Sequence, residues 1–320
     1  MSVFIRQQHS VCDFSSSDSW VILSPIEQSI KHKIEAVGTP LKDWDINIYR
    51  GVLTGCNEAF IISTEKRDEI LANCETEDER IRTAELIRPI LRGRDIKRYG
   101  YDWLNLYLIA TFPACHYDIE DYPAVKDYLL SFAEQNLRDS GNNWVADSYL
   151  EDYCKQKLAQ TGKFIEITGK RIYIWNTAEK ARKKTSNKWF ETQDSISYWD
   201  EFFQPHIGYC EIGIEMDACM IESGIFINNK IYMVTGKHLE FLIIFFNSKL
   251  FNKIILQSAN VTGGKGVDFM NKIHCIIPNQ QQIAEAKKLL KNNSTDYEKD
   301  EFINNIYNLT PLQKEYLQTI

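Results

Sequence analysis

The most informative stretch of the sequence is Leu86-Ile87-Arg88-Pro89-Ile90-Leu91-Arg92-Gly93-Arg94-Asp95-Ile96-Lys97-Arg98-Tyr99. Five cations and one acid surround a short apolar run, which gives a local charge of +4 in a chain whose net charge is −7. A cluster of arginine and lysine beside an aromatic residue is what contact with phosphate requires. The segment therefore predicts a local anion-binding surface on an otherwise acidic protein.

Composition limits the class of protein. The chain has 320 residues, of which 44% are hydrophobic and 25% charged, and its pI is about 5.5. It is long enough for one large domain or two smaller ones, and its acidity argues against a protein that coats nucleic acid with its whole surface. Eight scattered cysteines without a C-x-x-C pair favour reduced thiols over a zinc site. Because no apolar run approaches the length of a bilayer span and no signal-peptide core is present, we expect a cytoplasmic protein without membrane contact.

Local patterns predict an α+β fold. Ser24-Pro25 starts a helix whose apolar face is Ile26, Ile30 and Ile34, and Gly38 ends it. Strands are predicted at 45–49, 207–214, 220–227 and 230–235, with Asn228-Asn229 as a hairpin turn between the last two. Further helices are predicted within 64–85, at 122–137, 238–251 and 280–290, and at 311–320.

These patterns predict a mixed, largely antiparallel β region with packed helices and a helical C-terminal part. We expect residues 1–19 to be a linker or a truncated edge, 20–278 to form the main domain, and 279–320 to form a helical segment packed on it. The polar start of the chain, Ser15-Ser16-Ser17-Asp18-Ser19, suggests a cut through a linker or a split gene.

A second basic cluster lies at 163–188, where eight cations face two acids and give a local charge of +6. The two clusters are either two solvated faces or two walls of one phosphate-binding cleft. Thr54 and Asn57 lie on a glycine-bounded loop that could approach a ligand or could simply shape the fold. Lys265, in Thr262-Gly263-Gly264-Lys265-Gly266, is a further candidate for phosphate contact, although the loop lacks the complete P-loop pattern.

Patterns for catalysis are largely missing. No Pro-Pro pair exists, so the N-P-P-[YF] tetrapeptide of amino-methyltransferases is not in the sequence. Asp95-Ile96-Lys97 fits half of a metal-dependent nuclease motif, but the more economical role of Asp95 is to orient a neighbouring arginine. His116, His206 and His274 stand alone and are interpreted as packed or surface residues. The sequence therefore indicates neither a catalytic nor a metal site.

Several blocks in order carry a family resemblance. They are YRGVLTGCNEAF at 49–60, IRPILRGRDIKRY at 87–99, YPAVKDYL at 122–129, KWFETQ at 188–193 with FQPHI at 203–207, FNSKL at 246–250 and FINNIYNLT at 302–310. With these blocks the chain resembles the TaqI-like C-terminal specificity domain of adenine-specific DNA methyltransferases and fused type II restriction–modification enzymes. His206 departs from the pattern, since the family usually has lysine there.

The resemblance implies that the mixed β region at 20–278 is a recognition domain, a sequence-specific module for double-stranded DNA in a restriction–modification or related adenine-methyltransferase system. It also implies that the methyltransferase or nuclease domain is a separate partner, which would use S-adenosylmethionine, whereas this chain would carry no cofactor. The alternative is a docking module for such a subunit with little DNA contact. The residues predicted to bind DNA are Arg50, Thr54, Asn57, Arg92, Arg94, Lys97, Arg98, Lys180, Arg182, Lys183, Lys184, Lys188 and Lys265. Specificity is expected within 138–200, and the cations should gather on one concave side.

Overall fold

The computed structural model describes residues 23–138, 165–168, 171–174, 179–180, 187–188, 190–256 and 264–319. The α-helices in these ranges are α1 (Pro25–Val37), α2 (Asn57–Phe60), α3 (Thr64–Ala72), α4 (Glu77–Leu86), α5 (Pro123–Arg138), α6 (Leu239–Asn247), α7 (Val267–Met270), α8 (Gln280–Lys291), α9 (Asp296–Ile306) and α10 (Pro311–Gln318). The strands are β1 (Thr39–Pro40), β2 (Ile46–Arg50), β3 (Ile61–Ser63), β4 (Ile87–Leu91), β5 (Ile96–Lys97), β6 (Gly100–Tyr101), β7 (Leu106–Ile109), β8 (Ile165–Thr168), β9 (Arg171–Ile174), β10 (Glu179–Lys180), β11 (His206–Cys210), β12 (Ala218–Ile221), β13 (Phe226–Ile227), β14 (Ile231–Gly236) and β15 (His274–Cys275). The α+β prediction is confirmed.

Helix α1 forms where local signals placed it. Ser24 and the residue three positions into the helix make a reciprocal capping box, and Pro25 occupies the first turn. Ile30 and Ile34 are buried on one face, and Gly38 follows the last turn. The predicted start, apolar face and end of this helix are all confirmed.

A central sheet separates two hydrophobic cores. Its strands run in the order β12-β11-β14-β2, and all its pairs are antiparallel. Side chains alternate along a strand, so Tyr209 and Val234 join one core while Cys219 and Met233 join the other. The sheet is therefore covered on both faces, which explains why β14 reads as an almost continuous apolar run.

A second sheet, in the order β13-β4-β7-β3, contributes to the first core. Strand β13 is parallel to β4, whereas the other two pairs are antiparallel. Ile70 of α3, Leu86 of α4 and Leu129 of α5 belong to the same core. The first core is thus bounded by both sheets and by helices. Strand β4 forms the first part of the basic 86–99 segment.

Helices form the second core around α6, whose residues from Phe241 to Asn247 are all buried. The buried Asn247 amide accepts from the Ala218 N–H at 3.0 Å and donates to the Ala218 carbonyl at 2.8 Å, which completes the hydrogen bonding of the β12 end. Ala286, Ile303 and Leu317 bring α8, α9 and α10 into this core. Within the described ranges, no helix has the length and apolarity that crossing a bilayer requires.

The predicted Asn228-Asn229 hairpin is wrong. A turn does form there, but Ile227 pairs in parallel with Leu91 in the second sheet, while Ile231 pairs with Cys210 in the central sheet. The continuous strand predicted at 220–227 is also divided, into β12 and β13, and Gly224 between them adopts a left-handed φ of +86°. Residues 228–230 therefore connect two sheets.

Candidate nucleic-acid interface

A concave site lies where the two sheets meet. The Asn228 N–H donates to the Leu91 carbonyl at 2.9 Å, and the Glu211 N–H donates to the Lys230 carbonyl at 3.0 Å, so the connecting turn is fixed at both ends. The cavity beside it has a volume of about 510 Å³. Its lining residues are Arg92, Gly93, Arg94, Cys210, Glu211, Ile212, Asn228 and Lys230. We call this the basic cavity.

Arg50 is brought to the basic cavity by a close approach of backbones. The Val52 N–H donates to the Ile227 carbonyl at 2.8 Å, and the Asn229 N–H donates to the Val52 carbonyl at 2.9 Å. A Cβ at Gly51 would lie 2.2 Å from the Asn228 carbonyl oxygen, so only glycine fits between the strand end and the turn. The Arg-Gly pair at 50–51 is thereby tied to the same turn as Lys230.

Arg92 is oriented by a buried carboxylate. The Asp95 side chain is 1% exposed, and it accepts from the Arg92 N–H at 2.8 Å and from the Arg92 Nε and Nη2 at 3.2 Å each. This arrangement confirms the prediction that Asp95 orients a neighbouring arginine. Among the described residues there is also no group of three acidic, histidine or cysteine side chains that could hold a metal ion.

The other cations in and beside the basic cavity have fewer hydrogen bonds and ion pairs than Arg92. The Arg50 Nε donates to the Asn229 carbonyl at 3.1 Å, and its Nη2 is 3.9 Å from the Glu211 Oε2. Arg94 and Lys230 are exposed, and neither side chain has a hydrogen bond or ion pair to the described part of the chain. The lining thus holds three cations and Glu211, and with Arg50 and Asp95 beside it the group has four cations against two acids, an excess of two positive charges.

The thiol at this site is partly buried and hydrogen-bonded to the backbone. Burial raises the pKa of Cys210, and the opposing influence of the Lys265 and Lys97 charges does not reverse that shift. The Cys210 Sγ donates to the Gly93 carbonyl at 3.0 Å. Because the thiolate is the reactive form of cysteine, this geometry suits a structural thiol. The arrangement as a whole can bind anions.

The cations of the 86–99 segment do not all reach the basic cavity. Arg88 stacks over the Phe203 ring at 4.9 Å and lines a separate aromatic cavity. The Lys97 Nζ donates to the Arg94 carbonyl at 3.2 Å. The Arg98 Nε lies 3.0 Å from the Asp296 Oδ2. The structure thus divides this segment between the basic cavity, an aromatic cavity and the C-terminal helices.

Three other predicted DNA-binding residues have structural contacts. The buried Thr54 hydroxyl donates to the Asn57 Oδ1 at 2.8 Å, which shapes the loop, while Asn57 itself is exposed. Lys265 is only 6% exposed, and its Nζ donates to the Gly213 carbonyl at 3.2 Å and to the Glu215 carbonyl at 2.7 Å. As placed, its ammonium is held inside the protein. DNA contact by these residues stays a prediction.

The second predicted basic wall is described only in part. The exposed Lys188 donates from its Nζ to the Tyr117 carbonyl at 3.4 Å and lies 5.5 Å from the Phe190 ring centre. Lys180 is in strand β10, of which only the backbone is described. Arg182, Lys183 and Lys184, like most of the expected specificity region at 138–200, lie outside the described residues. The prediction of a two-walled cleft therefore stays open.

Sequence reasoning missed two residues of this site. Lys230 is an isolated lysine with no cluster around it in the sequence, but the turn that follows β13 places it beside Arg92 and Arg94. Ile212 is 73% exposed on the cavity wall, although it was assigned to the apolar pattern of a strand. The Asn-Asn pair before Lys230 was the available signal for the first, and no local signal identified the second.

Comparisons with known proteins complete the description of the site. No protein-family model and no curated protein sequence matches this chain. Its structure neighbours include restriction–modification enzymes. The type IIL enzyme MmeI, solved in complex with DNA, has 8% identity and a TM-score of 0.45, with 89% of this chain and 37% of that enzyme covered. The type IIG restriction endonuclease BpuSI has 12% identity and a TM-score of 0.47, with 84% and 28% covered. The chain thus spans well under two thirds of either enzyme.

Proposed function

We propose that this chain is a sequence-specific recognition module for double-stranded DNA in a restriction–modification or related adenine-methyltransferase system. In this proposal it carries no catalytic centre of its own. A separate methyltransferase or nuclease domain or subunit is its protein partner, and that partner uses S-adenosylmethionine to methylate adenine.

One observation carries the proposal: cations from three separate segments lie in or directly beside the basic cavity. Arg92 and Arg94 come from the turn after β4, Lys230 comes from the connection between the sheets, and Arg50, at the end of β2, lies 3.9 Å from Glu211 on the cavity wall. A chain with net charge −7 has no general reason to collect cations in one concavity. Guanidinium groups bind phosphate with two parallel hydrogen bonds, and a lysine contributes a point charge.

The positions of the blocks that carry the family resemblance also support the proposal. Two of the six, at 49–60 and 87–99, meet beside the basic cavity through Gly51 and the 228–230 turn. The Asn247 contacts with Ala218 give the 246–250 block a structural role beside the same sheet. Two of the blocks that define the resemblance are therefore found together in space, where the proposal needs them.

Salt dependence of duplex binding tests the proposal. We expect the affinity for a mixed-sequence duplex to fall steeply between about 50 and about 200 mM salt, with a log–log slope of about −0.9 for each phosphate contacted. Arg94→Gln and Lys230→Gln should each make the slope shallower by about 0.9. Arg80→Gln is the matched control, because Arg80 is paired with Glu77 and does not line the basic cavity.

A substitution of Glu211 should change the duplex affinity in the opposite direction. Its carboxylate lies near the Arg50 guanidinium and would repel an approaching phosphate, so Glu211→Gln should raise duplex affinity and leave the order of the other variants unchanged. A flat salt response in the wild-type protein, or equal slopes for Arg94→Gln and Arg80→Gln, would reject DNA binding at the basic cavity. A flat response would favour the docking function instead.

A further inference from the structure

The loop between β11 and β12 has an unusual exposed surface. The last register pair before it is Tyr209 with Ala218, so the connection is longer than the usual hairpin loop of about two to five residues. Ile212 is 73% exposed and Ile214 is 97% exposed, while Gly213 between them has a φ of +155°. Isoleucine is among the residue types most often fully buried, so two such side chains on one loop tip require an explanation.

The exposure of these isoleucines is not the result of a loosely held chain. The buried Lys265 ammonium binds the carbonyls of Gly213 and Glu215, on either side of Ile214. The Met216 N–H donates to the Asn252 Oδ1 at 2.6 Å, and Met216 itself is fully buried. The loop is therefore anchored at several backbone positions while its two isoleucine side chains point away from the cores.

The neighbouring backbone is shaped to hold this loop. A Cβ at Gly264 would lie 2.9 Å from the Glu211 carbonyl oxygen, and that carbonyl accepts from the Lys265 N–H at 2.8 Å. Burial lowers the pKa of Lys265, as expected for an ammonium withdrawn from water into a ring of carbonyls. The predicted phosphate-binding lysine is thus a clamp for the isoleucine loop.

We propose that this loop is an apolar wedge that inserts Ile214, supported by Ile212, between neighbouring base pairs of the duplex bound at the basic cavity. The inference rests on the proposed function and extends it to a deformation of the DNA. Ile212 lines the basic cavity beside Arg92, Arg94 and Lys230, so phosphate contacts and the wedge lie together. Proteins that kink duplexes use isoleucine and other apolar side chains in this way, beside cationic contacts to the backbone. A β-branched side chain is stiff, which suits insertion into a base stack.

A damaged duplex tests the wedge without knowledge of the recognised sequence. Unstacking costs least where a base is already missing or mispaired, so a wedge should prefer such a site. The probes are two duplexes of about 20 base pairs, roughly two helical turns, that are identical except for one central abasic position. We expect the wild-type protein to bind the abasic duplex about tenfold more tightly, since a missing base removes part of the unstacking cost of insertion, and about 1.4 kcal/mol of that cost corresponds to a factor of ten.

Substitutions separate the wedge from the phosphate contacts. Ile214→Ser and Ile212→Ser should bring the ratio of the two affinities close to one and leave the salt slope of the intact duplex unchanged. Leu312→Ser is the matched control, because Leu312 is 67% exposed on α10, away from the lining of the basic cavity, and should keep the preference. Lys265→Met should reduce the preference by loosening the loop, and Lys265→Arg should restore part of it.

The outcomes are distinguishable. Steep salt-dependent binding of the intact duplex with no abasic preference would overturn the wedge and leave the proposed function standing. A preference that survives in Ile214→Ser would also overturn it. If neither duplex binds, the proposed function fails first and the wedge fails with it. A preference that disappears in both isoleucine variants, with an unchanged salt slope, is the supporting result.

Discussion

Replacing Asp95 with alanine is the most informative single perturbation of this fold. The carboxylate follows β4 in a short turn, and it serves both the backbone N–H and the guanidinium of Arg92. Asp95→Ala removes all three acceptor contacts at once. It leaves the partly buried Arg92 N–H without this acceptor, and the Arg92 guanidinium without its counter-charge beside Arg94 and Lys230 in the basic cavity.

The magnitude follows from the burial of the pair. Removing one member of a buried ion pair costs about 3–5 kcal/mol, because the remaining charge is left uncompensated. The Arg92 side chain keeps 20% of its surface exposed, so water can solvate part of that charge, and a loss of about 3 kcal/mol is expected. Asp95→Asn keeps an oxygen acceptor for the Arg92 N–H and loses only the charge, so its expected loss is about half as large, roughly 1.5 kcal/mol.

Urea unfolding followed by far-ultraviolet circular dichroism measures these losses. Asp68→Ala is the control, because Asp68 also pairs with an arginine, but its side chain is 61% exposed and such surface pairs are worth at most about 1 kcal/mol. From highest to lowest, the expected unfolding free energies are those of wild type, Asp68→Ala, Asp95→Asn and Asp95→Ala. An Asp95→Ala protein as stable as the Asp68→Ala protein would refute the reasoning, since it would mean that the buried pair stabilises nothing.

Three further predictions concern other parts of the fold. Ser24→Ala removes the capping box of α1 and should cost about 1 kcal/mol of unfolding free energy in urea. Gly51→Ala places a Cβ against the Asn228 carbonyl and should lower the unfolding free energy by about 3 kcal/mol or more and weaken duplex binding, whereas Gly100→Ala, with open space around it, should do neither. Burial lowers the pKa of His206 in the folded protein. The stability that the neutral imidazole contributes is therefore complete above about pH 6.5 and is lost as the pH falls toward the folded-state pKa. The unfolding free energy should accordingly change less between about pH 7.5 and about pH 5 in His206→Gln than in wild type.

Local signals predicted the elements whose causes are local. Helix α1 is predicted by a capping residue, a proline in the first turn and isoleucines spaced four residues apart, all within 15 residues of sequence. The structure confirms each of these features. Strand β2 and helix α8 are predicted for similar reasons, and their bounds agree within one residue. Propensity, capping and periodicity need no knowledge of distant partners, so a single sequence is enough for them.

The sequence did not reveal which strands pair with each other. The Asn228-Asn229 turn is real, but the strands on either side of it pair with Leu91 and Cys210, which lie far away in the chain. A hairpin is the economical inference from a turn between two apolar runs, and nothing in those residues names a different partner. The merging of two sheets, which creates the basic cavity, is therefore visible only in three dimensions.

The candidate site shows the same division. Counting cations selected the 86–99 segment as a candidate, but a count treats Arg94, Arg98 and Lys265 as equivalent. In the structure Arg94 is exposed without a partner in the described ranges, Arg98 is paired with Asp296, and Lys265 is buried among carbonyls. Each difference depends on a residue distant in sequence or on burial, and neither is a property of composition.

Net charge, finally, is a poor guide to whether this protein can bind DNA. At physiological salt the Debye length is about 8 Å, so exposed acids farther away than that scarcely oppose a phosphate that touches the basic cavity. The groups that matter are those within contact distance, where Arg94 and Lys230, with Arg50 beside them, face the partly exposed carboxylate of Glu211. The same chain can therefore be anionic as a whole and cationic at one surface. Its acidity elsewhere disfavours indiscriminate binding, which is what the proposed sequence-specific function requires.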